Sequence, residues 1–152
     1  MRHLLDSKSA LKIYKAMILP IMTYCPFVTF GTIPQNLSSR IEQIESRACR
    51  IIGGNPQVPS SISVQKKRIA TYVRKCIEND VCENFENYFE IHQTNFNTRN
   101  NNAMVKIPKV KLESARKSFS FQGAVIYNGL PKEIRTERDF TKFKSMLKSI
   151  DI

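Results

Sequence analysis

The amino-acid sequence predicts a mainly α-helical chain, on three observations. Apolar residues recur at three- and four-residue intervals through several segments, and caps and glycine stops bracket those segments. The one stretch that alternates apolar and charged residues is short and interrupted by proline. The 152 residues suffice for one domain or two small subdomains, and a fold of that size buries roughly two-thirds of its extended-chain surface. Hydrophobic residues make up 41% and charged residues 24%, which is ordinary globular usage.

The first predicted helix begins at Asp6 or Ser7 as cap, and Leu11, Tyr14, Met17, Ile18, Ile21 and Met22 form its apolar pattern. Pro20 falls inside this pattern; lacking an amide proton, it is expected to kink or divide the helix near Leu19. Cys25-Pro26 marks an exit from helix, and 27–34 reads as a turn region. In the second helix Ser39 and Glu42 fit a capping box, Leu37, Ile41, Ile44, Ala48 and Ile51 make one stripe, and Gly53-Gly54 ends it. Arg40, Glu45, Arg47 and Arg50 fall on the opposite face.

After a linker over 56–63, Val64, Ile69, Tyr72, Val73, Cys76 and Ile77 predict a third helix. Phe85, Tyr88 and Phe89 continue its apolar pattern after a break near Asn79-Asp80. The asparagine-rich stretch 91–102 lacks any periodicity and is the expected boundary, dividing the chain into 1–90, a polar connection 91–102, and 103–152. Residues 104–110 suit a short edge strand or extended arm around Pro108. Ser118 is placed to cap a helix carrying Phe119, Phe121, Ala124, Val125 and Ile126, closed by Asn128-Gly129-Leu130-Pro131. Asp139 is placed to cap a last helix with Phe140, Phe143 and Leu147 as its stripe.

Twenty-four Lys and Arg against 13 Asp and Glu give a net charge of +11, which favours polyanionic partners, RNA or DNA first. The surplus is concentrated after residue 100, where 11 basic groups face 5 acidic ones. Lys106, Lys109, Lys111, Arg116 and Lys117 lie together there against the single acid Glu113. With Arg47 and Arg50 on the second helix, and Arg99 in the "NTRN" turn, they are the candidate nucleic-acid-binding residues. A solvated surface is the competing reading for each, and Arg99 between Thr98 and Asn100 also fits a loop-fixing hydrogen-bond hub. Phe119, Phe121 and Tyr127 read as core.

No catalytic centre is legible. Polymerase chemistry needs carboxylates holding two metals about 4 Å apart, whereas Asp6, Asp80, Asp139 and Asp151 are isolated. Glu78, Asp80, Glu83, Glu86 and Glu90 spread around a helix or its break. His3 and His92 are the only imidazoles, and Cys76, Cys82 and His92 lack the spacing of a zinc knuckle. No catalytic residue, metal or cofactor is therefore expected. Scattered cysteines and the lack of a signal-peptide pattern suit an intracellular, nuclear or cytoplasmic protein. The longest apolar run, 16–30, contains two prolines and is too short for a membrane span.

The ordered runs "YKAMILPIMTYCPFVTFG", "RIEQIESRACRIIGG", "NTRN", "SFSFQGAVIYNGLPKEI" and "FTKFKSML" resemble the C-terminal region of jockey-like non-LTR retrotransposon reverse transcriptases. The matching positions are Tyr14, Pro20, Tyr24, Gly31, Ile44, Arg47, Arg50, Ile51, Ile52, Thr98, Arg99 and Asn100. They continue with Ser118, Phe119, Gly123, Asn128, Leu130, Pro131, Phe143 and Lys144. Phe30 and Tyr127 stand where that family usually has tryptophan, and 55–63 matches poorly. The resemblance implies helices of a polymerase thumb and the segment beyond it, which support an RNA or DNA template and primer while a palm domain elsewhere polymerises. It also implies that the family's acidic pair lies upstream of the region resembled. A palm domain is accordingly an expected partner, and an inactive mobile-element remnant with a structural or protein-interaction role is the alternative.

Overall fold

The structure, a computed structural model, describes residues 6–53, 58–81, 83–85, 88–91 and 104–150, and it is mainly helical. The helices are α1 (Ser7–Ile13), α2 (Leu19–Met22), α3 (Pro26–Thr29), α4 (Gln35–Ile52), α5 (Ser61–Ile77), α6 (Glu113–Arg116), α7 (Phe119–Asn128), α8 (Lys132–Thr136) and α9 (Phe140–Ser149). A π-helical segment, Tyr14–Ile18, joins α1 to α2. The chain divides into two compact units, Met1–Gln65 and Lys66–Ile152. That division falls inside α5, whereas the sequence pointed to 91–102, a connection of which only Ile91 is described.

In the first unit, Asp6 accepts a hydrogen bond from the Ser9 amide and caps α1. The expected division by Pro20 is present, but it begins upstream of Leu19. Pro20 offers no amide proton and its ring crowds the carbonyl one turn earlier, which favours a widened turn just before it. Leu19 N–H accordingly reaches back five residues to the Tyr14 carbonyl.

The extra residue in this turn changes which side chains face inward. Leu11, Tyr14, Leu19 and Thr23, spaced three, five and four apart, are buried, and Ile21 is left 79% exposed. A regular helix would have turned Ile18 and Ile21 inward, as its periodicity suggested. Leu11, Tyr14 and Leu19 pack with Ala48 and Ile52 of α4, and with Ala10, Val58 and Val64, to form the core of this unit. The Ser7 hydroxyl donates to the Ile52 carbonyl, and Gln65 Nε2 donates to the Met22 carbonyl at 2.9 Å.

Helix α2 ends at Met22 with Thr23 as its cap residue, and Cys25, in a left-handed conformation (φ 46°), precedes one helical turn, α3, within the stretch expected to be irregular. Helix α4 starts at Gln35, after Pro34, so Ser39 and Glu42 form no capping box. The Ser39 hydroxyl instead donates to the Gln35 carbonyl one turn back. Gly53 (φ 91°) closes α4 as expected. Of the predicted stripe, Ala48 is buried and Ile41 half-buried, but Leu37, Ile44 and Ile51 are exposed. Glu45 accepts the Ser61 amide at 2.6 Å, a carboxylate at the positive end of α5.

In the second unit Ile69, Ala70, Val73 and Cys76 of α5 are buried, as are Ala124 and Tyr127 of α7, Ile134 of α8, and Phe143 and Leu147 of α9. Gly123 lets α7 approach closely: a Cβ there would lie 3.0 Å from both Phe89 Cζ and Val73 Cγ2. Tyr72, Phe85, Tyr88, Phe89 and Phe119 form a linked aromatic cluster with centroid separations of 5.2–5.9 Å. Tyr127 and Phe143 are buried, in agreement with the core reading of Tyr127; Phe119 and Phe121 are half-buried.

The Asp139 side chain caps α9 by accepting from the Thr141 and Lys142 amides. Ser118 occupies the cap position of α7 without a capping hydrogen bond, because its hydroxyl donates to the Ala115 carbonyl at 2.6 Å. Of the edge strand or extended arm expected over 104–110, the arm is what forms, and among the described residues its strand pairing is one antiparallel bridge, Ile91 with Val105. Asn128 accounts for part of this, since its side-chain amide pairs with both the N–H and the C=O of Val105 at 2.8 Å, in place of a neighbouring strand. Pro108 then removes a donor further along.

Candidate nucleic-acid interface

The predicted cations fall on both units. Arg47 and Arg50 are exposed on α4 in the first. They share that helix with Glu42 and Glu45, and Glu42, Glu45, Ser46, Cys49 and Arg50 line a shallow depression, so this face carries mixed charge. Arg50 Nε also donates to the Ser46 carbonyl at 3.4 Å. Arg99, Thr98 and Asn100 lie outside the described residues, as do Cys82, His92 and His3.

The remaining five cations belong to one stretch of the second unit. Lys106, Lys109, Lys111, Arg116 and Lys117 are all exposed, the first three on an extended segment and the others at the end of α6. Lys106 pairs with Glu90 at 3.1 Å, both side chains being 67% exposed, and Arg116 lies 3.7 Å from Glu113. Exposed pairs of this kind contribute at most about 1 kcal/mol and exchange readily with other partners. Lys109, Lys111 and Lys117 make no ion pair among the described residues.

The extended form of this segment depends on its neighbours. Asn128 clamps Val105, the Lys106 amide donates to the Glu90 carbonyl at 2.9 Å, and the segment ends where Leu112 enters α6. Thus Asn128, Leu130 and Pro131, which the sequence grouped as one motif, act in different ways. Asn128 holds the arm, buried Leu130 packs in the core, and Pro131 is the cap residue of α8. Gly123 permits close packing, while Phe119 and Ser118 shape the start of α7. Tyr24, grouped with them by sequence, is 76% exposed in the first unit.

Beside the arm runs a groove of about 950 Å³, lined by Tyr88, Phe89, Glu90 and 104–109, with Ser120 and Asn128. Tyr88 and Phe89 read in the sequence only as continuing apolar periodicity. No local signal marks Tyr88 as a groove residue, because the arm it faces lies more than a dozen residues away in the chain.

Arg74 is a cation that sequence reasoning passed over. Its guanidinium donates to Glu78 at 2.6 Å, to the Arg135 and Glu137 carbonyls at 3.2 and 2.8 Å, and to the Tyr127 hydroxyl at 3.5 Å. It also lies over the Phe143 ring. Burial opposes its charge, but the hydrogen bonds and charge of Tyr127 and then Glu78 outweigh this and raise its pKa. Arg74 is thus a structural group of the second unit.

Of the acidic residues expected to spread around the end of α5, Glu78 pairs with Arg74, Asp80 with Lys75, and Glu90 with Lys106, while Glu86 lies outside the described residues. Among the described residues no group of three or more His, Cys, Asp and Glu is arranged to hold a metal, and no helix is long and apolar enough to cross a membrane. No family model, curated protein or solved structure matches the chain.

Proposed function

We propose that this chain is a non-catalytic nucleic-acid-binding region, derived from the part of a jockey-like non-LTR retrotransposon reverse transcriptase that follows the palm. Its role is to hold RNA or DNA template and primer through the basic surface of the second unit, with polymerisation carried out by a palm domain. The observation that carries the reading is the exposed run Lys106, Lys109, Lys111, Arg116 and Lys117, which among the described residues pairs with Glu90 and Glu113 alone. Such a surface gains affinity by releasing counterions from phosphates.

Binding to RNA and DNA across a salt series tests it. Log affinity for B-DNA should fall with log salt at a slope of about −0.9 per phosphate neutralised. Reversing Lys106, Lys109 and Lys111 to Glu should weaken binding far more than reversing Lys142, Lys144 and Lys148 on α9. No binding at low salt refutes the reading, and equal effects of the two triple reversals refute the assigned surface.

A second reading, a structural or protein-interaction module, has its own support. Met17, Ile21, Tyr24 and Val28 of the first unit are each at least 64% exposed, which is unusual for neighbouring large apolar residues. A palm domain is one partner such residues would meet. This reading predicts association with protein and no salt-dependent affinity for nucleic acid.

A further inference from the structure

We infer that the groove between Tyr88 and the 104–109 arm takes a single strand of nucleic acid, with an unpaired base stacked on Tyr88 and the adjacent phosphates on Lys106 and Lys109. This rests on the nucleic-acid reading above and deepens it from a generic polyanion surface to a single-strand site.

The lining has the two components that such a site needs. Stacking requires an aromatic ring accessible from solvent but held in place, and Tyr88 fits, being 43% exposed and stacked at 19° on Phe119 with a centroid distance of 5.9 Å. Phe85 and Phe89 pack against it at 5.5 and 5.2 Å, so its ring is already ordered and a base would extend an existing stack. Ile107 and Pro108 add apolar surface to the lining.

The second component is charge along an extended backbone. Lys106 and Lys109 line the groove, and Glu90 there is held by Lys106. Because that pair is largely exposed, a phosphate can replace the carboxylate at little cost. Among the described residues the amides of Ile107, Lys109, Val110 and Lys111 donate no hydrogen bond, so the arm also offers backbone donors to phosphate oxygens.

A duplex fits this arrangement poorly, since its bases are stacked within the helix and present no free face to Tyr88. A single strand supplies both an unstacked base and flexible phosphates. The site therefore distinguishes strandedness, whereas a simple basic surface would not.

The test compares the full chain binding a 12-nucleotide single-stranded RNA, the matching single-stranded DNA, and a blunt duplex of the same sequence. Single strands should bind more tightly than duplex at equal salt. Tyr88→Leu should weaken single-strand binding about tenfold, within the range for loss of one stacked base, and leave duplex binding unchanged. Tyr88→Phe should behave as the unaltered protein, and Lys106→Glu with Lys109→Glu should weaken both ligands. If Tyr88→Leu unfolds, photocrosslinking of the unaltered protein to an iodouracil-substituted strand replaces it, with adducts expected at Tyr88. Salt-dependent binding that ignores strandedness and survives Tyr88→Leu overturns the groove assignment while the broader reading stands. A crosslink confined to residues outside the groove overturns it equally. Failure of all three nucleic acids to bind overturns both.

Discussion

Replacing Arg74 with Met keeps the aliphatic stem and removes the guanidinium, which ties α5 to the C-terminal end of α8 and its cap residue Glu137. The loss can be worked from its contacts. The Arg135 and Glu137 carbonyls lose their charged donor, at 3.2 and 2.8 Å, and each charge-assisted hydrogen bond contributes about 1.5 kcal/mol or more. The Glu78 pair adds a few tenths of a kcal/mol, since that carboxylate is 32% exposed, and the contact with Phe143 adds up to about 1 kcal/mol. Allowing for the retained stem, Arg74→Met should cost about 3 kcal/mol. Arg74→Lys should cost about 2 kcal/mol, because an ammonium cannot reproduce the planar fork. Urea unfolding followed by far-ultraviolet circular dichroism measures both. Nucleic-acid affinity below the transition should be unchanged, because Arg74 is a core group. A loss below 1 kcal/mol for Arg74→Met would refute the claim that these two carbonyls depend on it.

Two other substitutions test packing and ionisation. Gly123→Ala should destabilise by about 1–3 kcal/mol in thermal or urea unfolding, because its methyl group would meet Phe89 and Val73 at 3.0 Å and an aromatic cluster has little room to yield; a neutral result would mean that α7 can shift freely. Burial, and then the negative charge of Glu45 and Cys49, pushes the Tyr14 hydroxyl up to about 12 from its ordinary value of 10.0. The folded state therefore holds this proton more tightly than the unfolded chain, and the associated stability is present below pH 10 and lost as pH rises towards 12. Tyr14→Phe should remove that part of the alkaline decline in the urea midpoint; an unchanged decline would place its source elsewhere.

Much of the helical framework is legible in the sequence because its signals are local. Gly53 ends α4 through a backbone conformation that glycine tolerates, and Asp139 caps α9 through amides two and three residues ahead. Single turns such as α3 and α8 escape because four or five residues carry no period. Ser39 and Glu42 do not mark the start of α4, because they have the spacing of a capping box in the helix interior, where the backbone amides already have partners. Periodicity also says which residues share a face and not whether anything covers it, so Leu37, Ile44 and Ile51 read as core while standing exposed. Within the candidate site, the cations of the arm could be read from composition. Arg74 and Tyr88 could not, because what defines them comes from residues far along the chain: Arg74 meets carbonyls 61 and 63 residues away.

The widened turn between Tyr14 and Ile18 makes the first helix a two-sided element. One added residue advances everything after it by about 100°, since a regular helix turns through 360° in 3.6 residues. The segment before the turn and the segment after it therefore obey different phases. Leu11 and Tyr14 set the first phase, Leu19 and Thr23 the second, and the side chains that one continuous phase would have hidden are turned outward. Greasiness on this surface thus arises from where the backbone spends its spare residue. A hydropathy average over the same stretch would be identical whether Ile21 lay inside or outside.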